Sequence, residues 1–219
     1  MTDEGDSYNG IKVFGSLEIY SDSGANGSLD INVPSNAKSN VAGINCENGS
    51  CSIVNGFVNV NASSSTAENS EVVGIQASAS AYVYGGHVNI ESGINNTNAK
   101  SNNYGIKAKN IVIGEVSDEI EAGLRLSINA YSNNKDSVGI LATGENSSVD
   151  LCNGVVIVNG GINSEAGNDG NTNAIRSDNK VDIYGGEISL SAPGNEEDNA
   201  SLYAEGGIDM EVSSFTIDN

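Results

Sequence analysis

The chain has 219 residues, a formal net charge of −20, no tryptophan and only two prolines. This acidic balance argues against nucleic acid and anionic membranes as partners, because both are bound through basic patches. Membrane insertion is not expected either, since no apolar run reaches the roughly 18 residues that a spanning helix needs. Glycine, asparagine and serine supply 27, 32 and 30 residues, and so many turn formers indicate a chain of many short elements.

The first recurring feature along the chain is a glycine followed by isoleucine. The dipeptide appears as Gly10-Ile11, Gly43-Ile44, Gly74-Ile75, Gly105-Ile106 and Gly139-Ile140, and in weaker form as Ala174-Ile175. Successive copies lie 31 to 35 residues apart. A regular period of this length is typical of a repeat architecture, in which each unit buries its apolar side only against its neighbours.

Each repeat contains three short segments in which apolar and polar residues alternate, a pattern typical of β-strands. In the third repeat the segments are 74–77, 81–84 and 88–90, and Gly85-Gly86 forms the turn between the last two. Three strands and three corners per repeat predict an all-β fold, a parallel β-helix solenoid of about seven three-strand coils. Right-handed crossovers are the expectation for parallel strands. A β-sandwich also has short alternating strands, but it does not explain one internal order repeated along the chain.

The solenoid makes residues 1–219 a single β-helix domain. The predicted coils lie near 8–40, 41–71, 72–103, 104–137, 138–173, 174–201 and 202–219. Neither end shows a predicted cap, and an open β-helix end is an exposed sheet edge. The uncapped coils indicate either a fragment of a longer protein or end-to-end self-association.

The three cysteines are Cys46, Cys51 and Cys152. Cys46 and Cys51 fall at inward positions of consecutive strands across a tight corner, so a disulfide between them is one interpretation. The odd number of cysteines and their apolar register favour the other, in which all three are free, buried thiols.

The repeat as a whole resembles the pectate-lyase-like right-handed parallel β-helix superfamily, over almost the entire chain. Its order, Gly-Ile followed by Val-x-Ile, Gly-Gly and Val-x-Ile, is similar to repeats of non-catalytic, secreted, adhesin-like proteins of Gram-positive gut or cellulolytic bacteria. The resemblance implies a carbohydrate-binding protein, with acidic polysaccharide as ligand and Ca²⁺ in the coils. A repeat pattern specifies a fold far better than a function.

The enzymes of that superfamily resemble one another in features that can be sought in this chain. Lyases carry calcium-binding acids beside a basic residue, and hydrolases carry paired aspartates near a histidine. Asp150, Asp182 and Asp209 are predicted to form an outward ladder on successive coils, with the spacing of a retaining glycosidase pair. No basic residue or histidine matches a family motif beside them, and the single histidine, His87, is expected to be structural. The sequence predicts no enzyme activity, with a polysaccharide lyase or hydrolase as an alternative.

Outward tyrosines on the second strand of the coils are the main candidates for glycan binding. They are Tyr20, Tyr82, Tyr84 and Tyr184. Rings aligned along a flat sheet can stack on sugar faces, and their hydroxyls can bond to sugar hydroxyls. The alternative is that tyrosine simply suits a strand beside a glycine corner.

Basic residues on the outward face of the first strand are a second candidate surface. Lys12, Lys107 and Arg176 occupy equivalent positions there, in a chain with only nine basic residues. Such a column could bind uronate carboxylates. It could equally offset the repulsion between neighbouring acidic strands.

Acidic loops offer candidate ligands for Ca²⁺, which takes six to eight oxygen atoms. The candidates are Asp118, Glu119 and Glu121 in one loop and Asp169 in another. No other cofactor is expected.

The function expected from the sequence is a non-catalytic β-helix that presents a recognition surface for a glycan, either an acidic polysaccharide or a host or plant glycan. The alternative is a structural or adhesive stalk of a larger surface protein, with no ligand of its own. The expected location is extracellular or at the cell surface. The acidic start, Met1-Thr2-Asp3-Glu4, is not a secretion signal, which fits either a cytoplasmic protein or a secreted one whose signal peptide has been removed, and the composition favours the second.

Overall fold

In a computed structural model of the protein, every regular element of the described residues is a β-strand. The described residues are 7–21, 27–34, 39–63, 65, 70–94, 101–115, 123–131, 135–162, 170–193, 199–212 and 214–218.

Three parallel sheets of seven strands each make up the fold. The first sheet contains, in spatial order, β1 (Tyr8–Phe14), β4 (Val41–Glu47), β7 (Glu71–Ala77), β10 (Asn102–Ala108), β13 (Ser137–Ala142), β16 (Thr172–Ser177) and β19 (Leu202–Ala204). The second contains β2 (Leu17–Ile19), β5 (Cys51–Ile53), β8 (Ser80–Val83), β11 (Asn110–Ile113), β14 (Ser148–Leu151), β17 (Lys180–Ile183) and β20 (Gly207–Met210). The third contains β3 (Ser28–Val33), β6 (Phe57–Ser63), β9 (His87–Ile94), β12 (Arg125–Tyr131), β15 (Val155–Ile162), β18 (Glu187–Ser191) and β21 (Ser214–Asp218). Each coil gives one strand to each sheet, which confirms the predicted parallel β-helix.

The core is a set of columns that run along the solenoid. Each inward residue of one coil pairs with its equivalent on the next, as Ile44 does with Ile75 in the first sheet and Ile53 with Val83 in the second. These side chains are at most 1% exposed. Burying an aliphatic side chain contributes about 1.5–3 kcal/mol, so the stacked columns are the main source of stability.

The glycine of each Gly-Ile pair lies where the first strand meets the third strand of the same coil. A Cβ on Gly74 would lie 2.2 Å from Cγ2 of Ile90 and 2.6 Å from the backbone oxygen of Gly105 on the next coil. Gly74 and Ile75 therefore both face inward, and the strict alternation of the strand is interrupted at this point. A Cβ would clash in the same way at Gly43, Gly105 and Gly139, which explains why the dipeptide recurs, and Ala174 takes this position in the sixth coil.

All three cysteines are free and buried, as the apolar register predicted. Cys46 is the second-last residue of β4 and Cys51 begins β5, across a corner in which Asn48 adopts a φ of 61°. The hydrogen bond that Cys51 donates to Cys46, together with burial, raises the pKa of the Cys51 thiol, so this group stays protonated at neutral pH.

Candidate functional site

Tyr82 and Tyr84 form an aromatic pair on the outer face of the second sheet, in the third coil. Tyr82 is an outward residue of β8, and Tyr84 directly follows that strand. Their ring centroids are 5.5 Å apart and their planes differ by only 18°. Both side chains are half-buried, so each keeps part of its ring accessible to a ligand.

The next coil places small groups beside this pair. Tyr82 is in register with Val112 of β11, and the backbone N–H of Gly114 donates to Val83 at 2.8 Å, which aligns Gly114 with Tyr84. Because Gly114 has no side chain, nothing projects from its Cα beside the Tyr84 ring. The resulting apolar surface of Tyr82, Tyr84, Val112 and Gly114 is called the tyrosine face below.

Glu115 borders the tyrosine face. Its backbone N–H donates to Oδ1 of Asn153 at 3.4 Å, and the Asn153 side-chain amide donates to the Glu115 carbonyl, which fixes the backbone at this corner. The carboxylate atom Oε2 is enclosed and has no hydrogen-bond partner within the described part of the chain. A buried acceptor without a partner is costly, and this oxygen is closed to any external ligand.

The hydroxyls of Tyr84 and of Tyr184, which lies further along the same column, stay protonated at neutral pH. Burial raises the pKa of Tyr84, and the charges of Tyr82 and Glu115 add to that effect. The neighbouring Asp182 carboxylate raises the pKa of Tyr184. Protonated hydroxyls both donate and accept hydrogen bonds, as sugar hydroxyls require of their partners.

The other two predicted tyrosines lie in the same column as Tyr84 but on distant coils. Tyr20 is 66% exposed and Tyr184 is 53% exposed, so both rings are more accessible than the central pair. Tyr20 lies two coils from Tyr84 and Tyr184 lies three coils away on the other side, at about 10 Å and 14 Å for a strand spacing of ~4.8 Å. The sheet aligns these tyrosines without bringing all of them together.

The predicted basic column lies on the outer face of the first sheet, where its members already have partners. Lys12 pairs with Glu47 at 2.7 Å, and Lys107 pairs with Glu71 at 2.6 Å. The guanidinium of Arg176 lies 5.5 Å from the ring centroid of Tyr203. These contacts agree with the interpretation that the column offsets acidic repulsion.

Apolar side chains on the same outer face are more buried than an alternating strand predicts. Val73, Tyr104, Val138 and Leu141 form a cluster separate from the main core. The Lys107 ammonium lies 4.9 Å from the Tyr104 ring centroid, and burial raises the pKa of that tyrosine. This side of the solenoid therefore offers few unpaired polar groups.

The aspartate ladder is present in register, since Asp150, Asp182 and Asp209 occupy paired positions of successive strands. Lys180 lies 2.8 Å from Asp182 and 3.0 Å from Asp209, which partly neutralises the ladder. Burial raises the pKa of Asp150, and Asp182 raises it further. His87 packs instead against Phe57 on the third sheet, with ring centroids 4.9 Å apart.

The predicted calcium ligands Asp118, Glu119, Glu121 and Asp169 all lie outside the described residues. Among the residues that are described, no three histidine, cysteine, aspartate or glutamate side chains come together as a metal site would require.

Comparison with known proteins finds no family model that matches the chain, and no curated protein or solved structure that matches it. Within the described parts of the chain, no helix is long and apolar enough to cross a membrane.

Glu115 and Gly114 were not among the residues predicted from the sequence. Four other coils carry Gly-Gly or Asn-Gly at the corner after the second strand, as in Gly85-Gly86 and Asn153-Gly154, whereas the fourth coil has Glu115 at the position of Gly85 and Asn153. The sequence did contain one signal for Glu115, which is that a charged residue stands where the other coils have glycine or asparagine.

Proposed function

We propose that this protein is a non-catalytic glycan-binding β-helix, and that it holds its ligand on the tyrosine face. The observation that carries the proposal is the nearly parallel ring pair of Tyr82 and Tyr84. The small residues Val112 and Gly114 flank this pair on the adjacent coil. Because the two rings are stacked on each other, the pair presents one free ring face with hydroxyls at its edge, which suits a sugar ring with its C–H faces and rim of hydroxyls.

Each part of the tyrosine face has a role in this proposal. One ring of the stacked pair packs its free face on the C–H face of a sugar while the other ring supports it, and the protonated Tyr84 hydroxyl bonds to a sugar hydroxyl at the rim.

The charges around the tyrosine face favour a neutral glycan over a polyuronate. Glu115 borders the rings, and the ladder of Asp150 and Asp182 lies further along the same sheet. The positive groups that could attract uronates, Lys12 and Lys107, are engaged by glutamates on another sheet. Like charges placed close together oppose binding, so a neutral polysaccharide is the preferred ligand class.

Further features support the non-catalytic and extracellular parts of the proposal. A retaining glycosidase needs two carboxyl groups free to act on the substrate, whereas Lys180 contacts two of the three ladder aspartates. The strongly acidic, glycine- and asparagine-rich composition suits a soluble protein that faces the exterior of the cell.

A structural stalk is the second candidate, and side-chain ladders between coils favour it. The Asn59 amide donates to Asp30 at 2.6 Å, and the Asn61 amide donates to Asn32 at 2.7 Å. Such ladders stiffen a solenoid without any ligand, because each bond joins adjacent coils. A stalk would bind no glycan, which separates the two candidates.

The proposal is tested by replacing both Tyr82 and Tyr84 with alanine and measuring affinity for neutral and acidic polysaccharides by affinity electrophoresis and calorimetry. We expect the wild type to bind a neutral glycan and the double variant to lose about tenfold in affinity. Each stacked aromatic contributes about 0.5–1.5 kcal/mol, and 1.4 kcal/mol corresponds to a factor of ten.

The matched control is Tyr131→Ala, which removes a half-buried outward tyrosine from the third sheet. Its affinity should equal that of the wild type. The absence of wild-type binding to every polysaccharide would favour the stalk. An equal loss in the control variant would show that the tyrosine face is not the site.

A further inference from the structure

The first coil exposes core positions that every internal coil buries. Ile11, Leu17, Ile19 and Leu29 are only partly buried, although they pack against the core cluster. Their equivalents on the second coil, Ile44, Cys51, Ile53 and Val58, are at most 1% exposed. In the described part of the chain, β1, β2 and β3 are the edge strands of their sheets.

The last coil exposes the same columns at the opposite end. Ile208, Met210 and Ile217 are 40%, 53% and 47% exposed, whereas their equivalents one coil earlier are buried. Strands β19, β20 and β21 are the opposite edges of the three sheets in the described residues. Both ends thus combine apolar side chains with unpaired backbone groups, which favours strand addition.

These two ends are the two halves of one repeated interface. Inside the molecule, each coil packs against the coil that follows it in the sequence, and equivalent residues pair in the same register at every step. Continuing this register from one chain to the next sets Ile208 against Leu17 and Met210 against Ile19. The first and last coils are therefore complementary to each other rather than to themselves.

We propose that a second copy of this chain stacks head to tail on the first, with its first coil adding the next strand to all three sheets. The apolar columns then continue across the junction, and the edge strands form parallel ladders. The contact uses different surfaces on the two copies, so it is heterologous and repeats along the axis into filaments.

The polar residues at this junction define its salt dependence. Tyr203 lies opposite Lys12, and the comparable contact within the chain, Arg176 on Tyr203, has the guanidinium 5.5 Å from the ring centroid. Asp209 lies opposite Glu18, and each copy carries a net charge of −20, so like charges oppose association. Salt screens such repulsion over about 8–10 Å, and we expect stacking to strengthen as ionic strength rises.

Sedimentation velocity on the 219-residue chain, over a hundredfold range of concentration in low and high salt, tests the proposal. We expect the mean mass of the wild type to rise with concentration, and more steeply in high salt. Met210→Lys places a charge in the junction at a position that is already half exposed, so it should remain monomeric. Ile157→Lys is the matched control, because Ile157 is 42% exposed on the side of the solenoid, and it should associate as the wild type does.

Mixing two blocked variants tests the head-to-tail geometry. Leu17→Lys blocks the first coil and Met210→Lys blocks the last, and thermal unfolding of each variant establishes that it is folded. Each alone should be monomeric, and an equimolar mixture should form a dimer and nothing larger. A monomeric wild type at every concentration and salt would overturn the proposal, as would association of Met210→Lys by itself. Neither result bears on glycan binding, which involves the third and fourth coils.

Discussion

At the scale of single residues, Gly74 shows how one missing side chain organises a coil. Its Cα lies against Ile90 of the third sheet and against the backbone of the next coil, with no space for a Cβ. Gly43, Gly105 and Gly139 occupy the same position on other coils, where a Cβ would lie 2.1–2.2 Å from a core side chain. The repeated glycine therefore allows the first and third sheets to approach closely.

Gly74→Ala tests this role. We expect the free energy of unfolding to fall by about 1–3 kcal/mol or more, because the added methyl group overpacks the core and the opposing backbone cannot move freely. Thermal and urea unfolding measure the change.

The control is Gly123→Ala, where an added Cβ would have no neighbour within 4 Å. Its effect should stay within about 0.5 kcal/mol. Equal stability of the two variants would show that the Gly-Ile pair marks the repeat without being required by packing.

The sequence predicted the position of the Gly-Ile pair but not its geometry. A strictly alternating strand places a glycine next to an inward isoleucine on the outer face, whereas Gly74 also faces inward. The close approach of two sheets causes this difference, and such tertiary packing leaves no mark on the local pattern of one strand. The position of Glu115 beside the tyrosine face was missed for a similar reason, because it is next to Tyr84 only through the stacking of two coils.

At the scale of elements, the second sheet stacks carboxylates in one column. Asp150 of β14 is in register with Asp182 of β17, and Ser148 donates a hydrogen bond to Asp150 at 3.2 Å. Burial and the Asp182 charge raise the pKa of Asp150 above its ordinary value of 3.8. Lys180, which contacts Asp182, opposes this shift without cancelling it.

The raised pKa of Asp150 predicts a pH dependence of stability. In the interval between 3.8 and the raised pKa, the folded state binds more protons than the unfolded state, so stability falls as the pH rises. The contribution is fully present below 3.8 and is lost above the raised pKa. Asp150→Asn removes the ionisation, so it should raise the melting temperature at pH 7 by about 2 °C and be nearly neutral near pH 4.

Glu18→Gln is the matched control, since it removes one negative charge from an exposed outward position of the same sheet. A rise in melting temperature at pH 7 confined to Asp150→Asn would support a local effect. The same rise in both variants would assign it to the net charge of the molecule.

At this scale the sequence predicted the strands better than their surface contacts. The period-two alternation correctly predicted nearly all the residues that face the core, because burial selects apolar side chains at those positions. The partner of each lysine was not predictable, since a long side chain can reach several coils. Lys12 reaches forward one coil to Glu47, whereas Lys107 reaches back one coil to Glu71.

At the scale of the whole molecule, seven coils at ~4.8 Å each give a solenoid roughly 30 Å long. Each coil contacts only its neighbours, so a surface that needs more than one coil depends on the register between them. The tyrosine face is such a surface, because it combines Tyr82 and Tyr84 of one coil with Val112 and Gly114 of the next. The same dependence on neighbours leaves both end coils open to a second copy.

The most direct test of the account is nuclear magnetic resonance of the protein with isotope-labelled tyrosine rings during titration with a neutral oligosaccharide. The eight tyrosines are assigned by single substitutions, and the chain has no tryptophan to bind sugar in their place. The account predicts that the ring signals of Tyr82 and Tyr84 shift with the sugar concentration to saturation, while those of the buried Tyr104 and of Tyr131 on another sheet do not. Shifts at Tyr131 with none at Tyr82 and Tyr84, or no shift at any tyrosine, would contradict it.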